Sequence, residues 1–408
     1  MRLLLVAATT GYQTRAFAEA ARRLDIEPIL ATDRCHILED PWGDRAIPVR
    51  FEDPEASAEV LAGEKFDGIV AVADRPTEIA ARAAERLGIP FHPLAAVQAC
   101  RDKNVSRQLF QSAGLPTPEF TRYELADIPA HDRFPCVLKP LGLSASRGVI
   151  RANNREEFQA AFIRIRELLA RPGIVALHED RNRYIQVESF IEGTEFALEG
   201  LLTQGELQVL AIFDKPDPLN GPYFEETLYI APSRESREMQ RAIIDAAQAA
   251  VRALGLTHGP IHAEMRVNSQ GVWMLEVAAR PIGGLCARAL RFDGGASLEE
   301  IIVRHAVGED VSGAEPMDAA SGVMMIPIPK AGVYEGVEGV EEARAIPGIT
   351  EVVVTAKLGQ KMERLPEAAS YLGFIFAIGE TPGDVEEALR TAHARLRFEI
   401  ATSLRIVR

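Results

Sequence analysis

The stretch Gly259-Pro260-Ile261-His262-Ala263-Glu264, continued by Trp273-Met274-Leu275-Glu276-Val277-Ala278-Ala279-Arg280-Pro281, decides how the rest of the chain is read. Two apolar, strand-like runs flank the turn Asn268-Ser269-Gln270-Gly271, and a hairpin there brings Glu264 and Glu276 to one side of a sheet. Val272, Trp273, Met274 and Leu275 lead into Glu276 with no polar break, so that strand is expected to be buried on both faces. An ionised carboxylate in such a setting needs a cation or several donors to offset its desolvation. Taken alone, Glu264 equally fits a solvated position on an alternating strand. Two carboxylates on a rigid sheet, with an arginine just beyond, suit a magnesium-bound nucleoside triphosphate.

The chain has 408 residues, enough for two or three domains. Its 47% apolar and 25% charged content is ordinary for a globular protein. A formal charge of −14 argues against nucleic acid or an anionic membrane as partner. Cys35, Cys100, Cys136 and Cys286 are too dispersed for a disulfide framework or a structural zinc site, which points to a reducing, cytoplasmic setting. No run approaches the roughly 20 apolar residues of a membrane span. The apolar start at residues 1–8 is short for a signal peptide and is broken by Thr9-Thr10-Gly11-Tyr12-Gln13, so a buried first strand is expected.

The first hundred residues alternate between strand and helix: strands at 3–8, 27–32 and 67–72, helices at 14–24 and 77–87. That rhythm predicts a parallel α/β sheet. Its first turn lacks the G-x-G-x-x-G glycines, which argues against a nicotinamide-dependent oxidoreductase. The strand ends at Thr9–Gln13 and Asp74-Arg75 are where such a sheet presents a ligand site. Asp102-Lys103-Asn104 opens a helix closing near Gly114, and Leu115-Pro116-Thr117-Pro118 enforces an extended connector. A strand ending in Lys139, a small-residue loop at 142–149 and a helix over 155–169 follow. Beyond about residue 311 Gly, Pro and Val rise. There Thr381-Pro382-Gly383-Asp384 supplies an N-cap, a first-turn proline and a capping-box acid. Val385, Ala388, Leu389, Ala392 and Leu396 form the stripe of that last helix.

Lys139 beside Gly142-Leu143-Ser144-Ala145-Ser146-Arg147-Gly148 can meet phosphate oxygens, with loop N–H groups and Arg147 closing over them. A third segment, Gln186-Val187-Glu188-Ser189-Phe190-Ile191-Glu192-Gly193-Thr194-Glu195-Phe196-Ala197-Leu198-Glu199, carries acids at 188, 195 and 199 around a glycine kink. In order and spacing, these pieces resemble the ATP-grasp superfamily over about residues 100–310. The resemblance implies ATP and Mg2+ as cofactors, with Mn2+ as a substitute. Lys103 and Lys139 would contact phosphates, with Ser144, Ser146 and Arg147 in the covering loop. Glu188, Ser189, Phe190 and Ile191 would form the adenine hinge, Glu195 would bind the ribose, and Glu264 and Glu276 would be the metal ligands. The implied fold is mixed α/β, with an α/β domain at 1–100, the ATP-grasp domain at 101–310 (lid at about 118–190) and a small α+β domain at 311–408.

One position departs from the family pattern, E-x-N-x-R: this chain reads Glu276-Val277-Ala278-Ala279-Arg280, and alanine offers a metal no ligand. That form, together with Met324-Met325-Ile326-Pro327 and Gly373-Phe374-Ile375-Phe376-Ala377, is similar to the amino-acid ligase branch. The implied chemistry is carboxylate–amine ligation through an acyl phosphate. Arg280 and Lys139 would be catalytic, and Arg280, Gly283 and Gly284 would hold the carboxylate. His262 shares Glu264's strand face and is either a substrate contact or a satisfied core residue. The loop from Phe213-Asp214-Lys215-Pro216-Asp217 to Phe224-Glu225-Glu226-Thr227 reads as a lid or specificity element, with Glu226 either binding a substrate ammonium or standing in solvent. Other readings are a purine-precursor synthetase, a biotin-carboxylase-like enzyme or a catalytically lapsed nucleotide-binding module. The partners expected are small molecules, and the apolar C-terminal strands suggest a homodimer.

Overall fold

In the computed structural model, residues 1–9, 11–33, 46–368 and 370–402 are described; Thr10 and Cys35 lie outside them. The N-terminal strands, Arg2–Ala7, Glu27–Thr32 and Gly68–Val72, pair in parallel, with Ile47–Pro48 at the edge beside Glu27–Thr32. Their unbroken apolar runs are explained by helices that cover them, including Tyr12–Arg23 and Thr77–Leu87. The parallel sheet expected from the βαβ rhythm is present.

A second sheet of eight antiparallel strands forms the body of the molecule. In order it runs Gly271–Ala278, Gly259–Asn268, Thr194–Thr203, Glu206–Lys215, Leu228–Ala231, Ala320–Ile326, Gly373–Gly379 and Ile349–Val354. The composition change near residue 311 does not interrupt it, because Leu228–Ala231 pairs directly with Ala320–Ile326. Helix Arg237–Leu254 buries Ile243, Ala247, Val251 and Leu254 against one end of this sheet. Helix Pro382–His393 covers the other, with the Thr381–Asp384 capping box formed and Val385, Ala388, Leu389 and Ala392 buried. The apolar strand Gly373–Gly379 is therefore an interior strand satisfied within the chain, and its apolarity gives no argument for a dimer.

A four-stranded antiparallel sheet, Phe120–Glu124, Tyr184–Ser189, Cys136–Pro140 and Ile150–Ala152, stands apart from the body and faces it. Helix Arg155–Leu169 packs Phe158, Phe162, Ile165 and Leu169 onto it. Helix Lys103–Ser112, which leads into this sheet, starts where the Asp102 carboxylate accepts the N–H groups of Asn104 and Val105. A small three-stranded sheet, Lys361–Met362, Gly332–Glu338 and Arg397–Ala401, completes the C-terminal region.

Candidate active site

The expected hairpin forms with Asn268 paired to Gly271, and a β-bulge between Glu264 and Met265 shifts the register by one so that Glu264 stands opposite Glu276 instead of Leu275. Cross-strand neighbours share a face, so both carboxylates point the same way. The strand carrying Glu276 is not buried on both faces, however. Val272, Met274 and Val277 are buried, whereas Trp273, Leu275 and Glu276 are only partly covered. The apolar run reflects one face packed beneath helix Arg237–Leu254 and another lining a cleft.

That cleft, about 500 Å³ in volume, lies between the four-stranded sheet and the body. Lys103, Lys139, Ser144, Ser146, Glu188, Ser189, Phe190, Ile191 and Glu195 line it. So do Glu226, His262, Glu264, Glu276, Arg280, Gly283 and Gly284. Of the residues singled out in the sequence, Arg147 is the exception. Its Nε donates to the Glu367 carbonyl at 2.8 Å, tying the loop to the C-terminal region instead of closing over the cleft. The loop itself is unusual in its backbone: Ala145 and Ser146 both have φ of 55°, a region that residues with a Cβ seldom occupy outside functional loops.

Charge in the cleft is arranged in three linked groups. Glu188 is 2% exposed and accepts from Lys139 Nζ at 2.6 Å and Arg107 Nε at 2.8 Å. Burial pushes its carboxyl up, but the two cations outweigh that and hold it below the usual range. For Lys139, burial prevails over Glu188 and lowers its pKa. In the second group, Lys215 is almost fully buried. Its Nζ donates to Glu195 (3.0 Å), Glu226 (2.5 Å) and Glu264 (2.7 Å). Burial opposes charge on Lys215, yet these carboxylates raise its pKa well above normal. Glu226 goes the other way: burial and the neighbouring Glu264 push it up to about 7, while Tyr229 donates to it at 2.8 Å. Glu264 is held down chiefly by Lys215 and His262 against the effect of burial. His262 Nδ1 bonds Glu199, and its Nε2 lies 3.5 Å from Glu264. Burial favours the neutral ring, but the Glu199 and Glu264 carboxylates raise it to about 9.

The third group joins two regions of the chain. Arg280 forks onto Asp74 through Nε (3.0 Å) and Nη2 (3.2 Å), so an N-terminal strand end meets the residue just past the hairpin. Burial opposes the Arg280 charge, but Asp74 raises its pKa above the ordinary value. Ala73, immediately before Asp74, has φ of 79°, so the backbone is held in a costly conformation where it delivers this carboxylate.

The oxygen-rich donor set fits a hard divalent cation. Glu195, Glu226 and Glu264 present ligand atoms within 4.8 Å of one another, and Lys215 places an ammonium among them. Glu276 lies across the hairpin, 3.7 Å from Lys103 Nζ. Ala278 faces His262 and contributes no donor.

The sequence marked the strand end at Asp74 as a ligand position without giving the residue a role, and it passed over Lys215, Arg107, Arg266 and Tyr229 as site residues. Lys215 carried a signal, because a lysine ending an apolar strand run requires a counter-charge if buried. Arg107 carried none, being one of several polar residues on an amphipathic helix. Arg266 is 3% exposed and donates to Glu195 at 3.0 Å; both Glu195 oxygens are thus held in ion pairs.

Three family models match the chain: an ATP-grasp N-terminal domain over residues 18–91, an ATP-grasp domain over 132–289 and an L-amino acid ligase C-terminal domain over 324–401. The crystal structure of an L-amino acid ligase from Bacillus licheniformis superposes with a TM-score of 0.84, at 28% identity and 98% coverage of both chains. An uncharacterised protein, y4rH, of Sinorhizobium fredii is 22% identical over 98% of this chain and 83% of its own length. The alanine–anticapsin ligase of Bacillus subtilis is 30% identical over half of this chain, which spans 46% of that protein. The matched domains in their order, together with a hairpin bearing facing glutamates, place the chain in the ATP-grasp ligases, beside the L-amino acid ligases.

Proposed function

We propose that the protein is an ATP-dependent carboxylate–amine ligase that joins an amino acid to an amine or a second amino acid. The observation that carries this reading is the facing pair Glu264 and Glu276, with Lys139, Lys103 and Arg280 around one cleft. Lys103 and Lys139 bind phosphate oxygens, and the Ser144–Ser146 loop covers them. The segment at Glu188–Ile191 seats the base through its backbone; the Glu188 side chain is already held by Arg107 and Lys139. Glu264 and Glu276 hold magnesium, which when bound neutralises phosphate charge. A substrate carboxylate oxygen attacks the γ-phosphorus of ATP, the bond to ADP breaks, and an acyl phosphate results. An uncharged amine then attacks the carbonyl carbon, the C–N bond forms and the carbon–phosphate oxygen bond breaks, and the departing phosphate takes the proton that the amine nitrogen loses. Arg280, oriented by Asp74, offers its remaining N–H groups to the carboxylate and then to the oxyanion. Glu226, drawn into the cleft beside Lys215 and Tyr229, takes the substrate ammonium.

The lysines and arginines of the lining, Lys103, Lys139, Arg266 and Arg280, each stand against a carboxylate and none is left over for a sugar phosphate, which favours amino acids as substrates. The free, buried Cys100, Cys136 and Cys286 suit a reducing cytoplasm, and among the described residues no helix is long and apolar enough to cross a membrane. The test is ADP and phosphate release with Mg-ATP against a panel of amino acids and amino-acid pairs, with Glu276→Gln as control. Pair-dependent release abolished by the substitution is expected; silence across the panel despite tight Mg-ATP binding would overturn the reading.

A further inference from the structure

The lining of the cleft divides by charge. Its charged side chains, among them Lys139, Glu188, Glu226, Glu264 and Arg280, are engaged in ion pairs, whereas the uncharged Tyr12, Gly284, Met325 and Tyr371 meet around one buried ring. The uncharged end is organised around Phe374, which is 1% exposed and lies beneath the lining instead of within it. The Tyr12 ring packs on it edge-on at 5.9 Å, and the Tyr371 ring lies at 6.3 Å. Met325 is the direct cross-strand neighbour of Phe374 and so shares its face. Gly284, with φ of 67°, passes close over the same ring: a Cβ there would stand 3.2 Å from it. Burial keeps the Cys286 thiol protonated, so it also presents an uncharged surface.

We propose that this end is the side-chain pocket for an apolar or aromatic α-amino acid. Its ammonium lies on Glu226 and its carboxylate is directed back toward Arg280. The inference rests on the ligase reading above and supplies its substrate class. Glu226 and Arg280 line the same cleft as these rings, and the Glu226 charge acts on both Tyr371 and Cys286, so an amino acid's charged backbone groups belong beside Glu226. Thr355, Gln360 and Ser370 also line the cleft and offer hydrogen bonds but no counter-charge. A lysine, arginine, aspartate or glutamate side chain placed there would lose its hydration without a partner. An apolar side chain instead gains contact with Tyr12, Met325 and Tyr371.

Binding calorimetry with Mg2+ and a non-hydrolysable ATP analogue tests the pocket without needing turnover. Leucine, methionine and phenylalanine are expected to bind at least tenfold more tightly than aspartate or lysine. Met325→Trp, which fills the recess, is expected to lower the leucine-to-alanine affinity ratio at least tenfold. Analogue binding in the same sample reports that the variant is folded, and Tyr371→Ala, expected to weaken phenylalanine more than alanine, serves if it is not. Charged amino acids binding as tightly as leucine, or a ratio indifferent to both substitutions, would overturn the inference. Turnover led by charged amino acids would also sink it while leaving the ligase intact. Calorimetric preference for apolar amino acids with no ADP release from any pair would sink the ligase reading and leave the pocket standing.

Discussion

The two ends of the cleft are built on opposite physical principles. In the charged end nearly every functional group is already committed to another: Lys139 to Glu188, Lys215 to three carboxylates, Arg280 to Asp74. Such networks hold geometry closely, because removing one member strands a buried charge. The uncharged end is held by ring and thioether packing around Phe374, where losses are graded with size. The charged end is therefore suited to a reactant that does not vary, and the other end to one that does.

Substitutions break this comparison in order of expected effect. Glu276→Gln is expected to reduce pair-dependent ADP release by ~10²–10³-fold, the scale of losing one transition-state electrostatic contact. Steady-state kinetics checks it, and loss of Mn2+ affinity in the presence of ATP, followed by electron paramagnetic resonance, should accompany it. Arg107→Ala removes one of two cations from the buried Glu188 and also the bond to the Leu275 carbonyl. A loss of about 3 kcal/mol in urea unfolding is expected; a loss under 1 kcal/mol would show that Lys139 and Gln186 suffice to satisfy Glu188.

Acid probes the charged end from behind. His92 bonds the Pro260 carbonyl beneath the Glu264 strand, and His305 stacks on His258 with ring centroids 4.3 Å apart. Burial lowers both His92 and His305 to about 4, and neither Nδ1 has a partner. The unfolded chain takes up protons near pH 6.5 while the folded chain resists them. Stability from these groups is thus intact above about pH 6.5 and lost as pH falls toward 4. Glu226 and His262, raised to about 7 and about 9, gain stability over the same fall in pH, so the histidines are isolated by substitution. Lowering pH from 7.5 to 5 should depress the urea midpoint less in His92→Gln than in the parent, and an unchanged difference would remove His92 from the account.

In the uncharged end Tyr371→Ala should raise KM for an apolar amino acid by the equivalent of about 1–2 kcal/mol, with Mg-ATP affinity unchanged. Parallel loss of both would show that the two ends are not separable. The smallest effect is expected for Gln13→Ala. It removes one hydrogen bond, from Nε2 to the Ile282 carbonyl at 2.7 Å, worth about 1 kcal/mol in stability.

Much of this architecture was legible residue by residue. The turn at Asn268–Gly271 marked the hairpin and the N-caps at Asp102 and Thr381 marked helix starts, whereas the bulge between Glu264 and Met265 that brings Glu264 opposite Glu276 left no mark in the sequence. The Arg155–Leu169 helix appeared in its periodicity. The strand at Gly271–Ala278 misled because an apolar face against a cleft and one against a core use the same residues. Arg147 misled for another reason: position beside a phosphate-type loop does not fix where a long side chain points, and its fork found the Glu367 carbonyl.

Turn chemistry, capping and side-chain period act over a few residues, so the chain by itself determined its strands, helices, hairpin and order of domains. Only the tertiary structure decided that Asp74 orients Arg280, that Lys215 sits among Glu195, Glu226 and Glu264, and that Tyr12 and Met325 join Tyr371 at Phe374. Those are pairings between residues tens to hundreds of positions apart. Their energy depends on distance and burial in space, which no local pattern encodes.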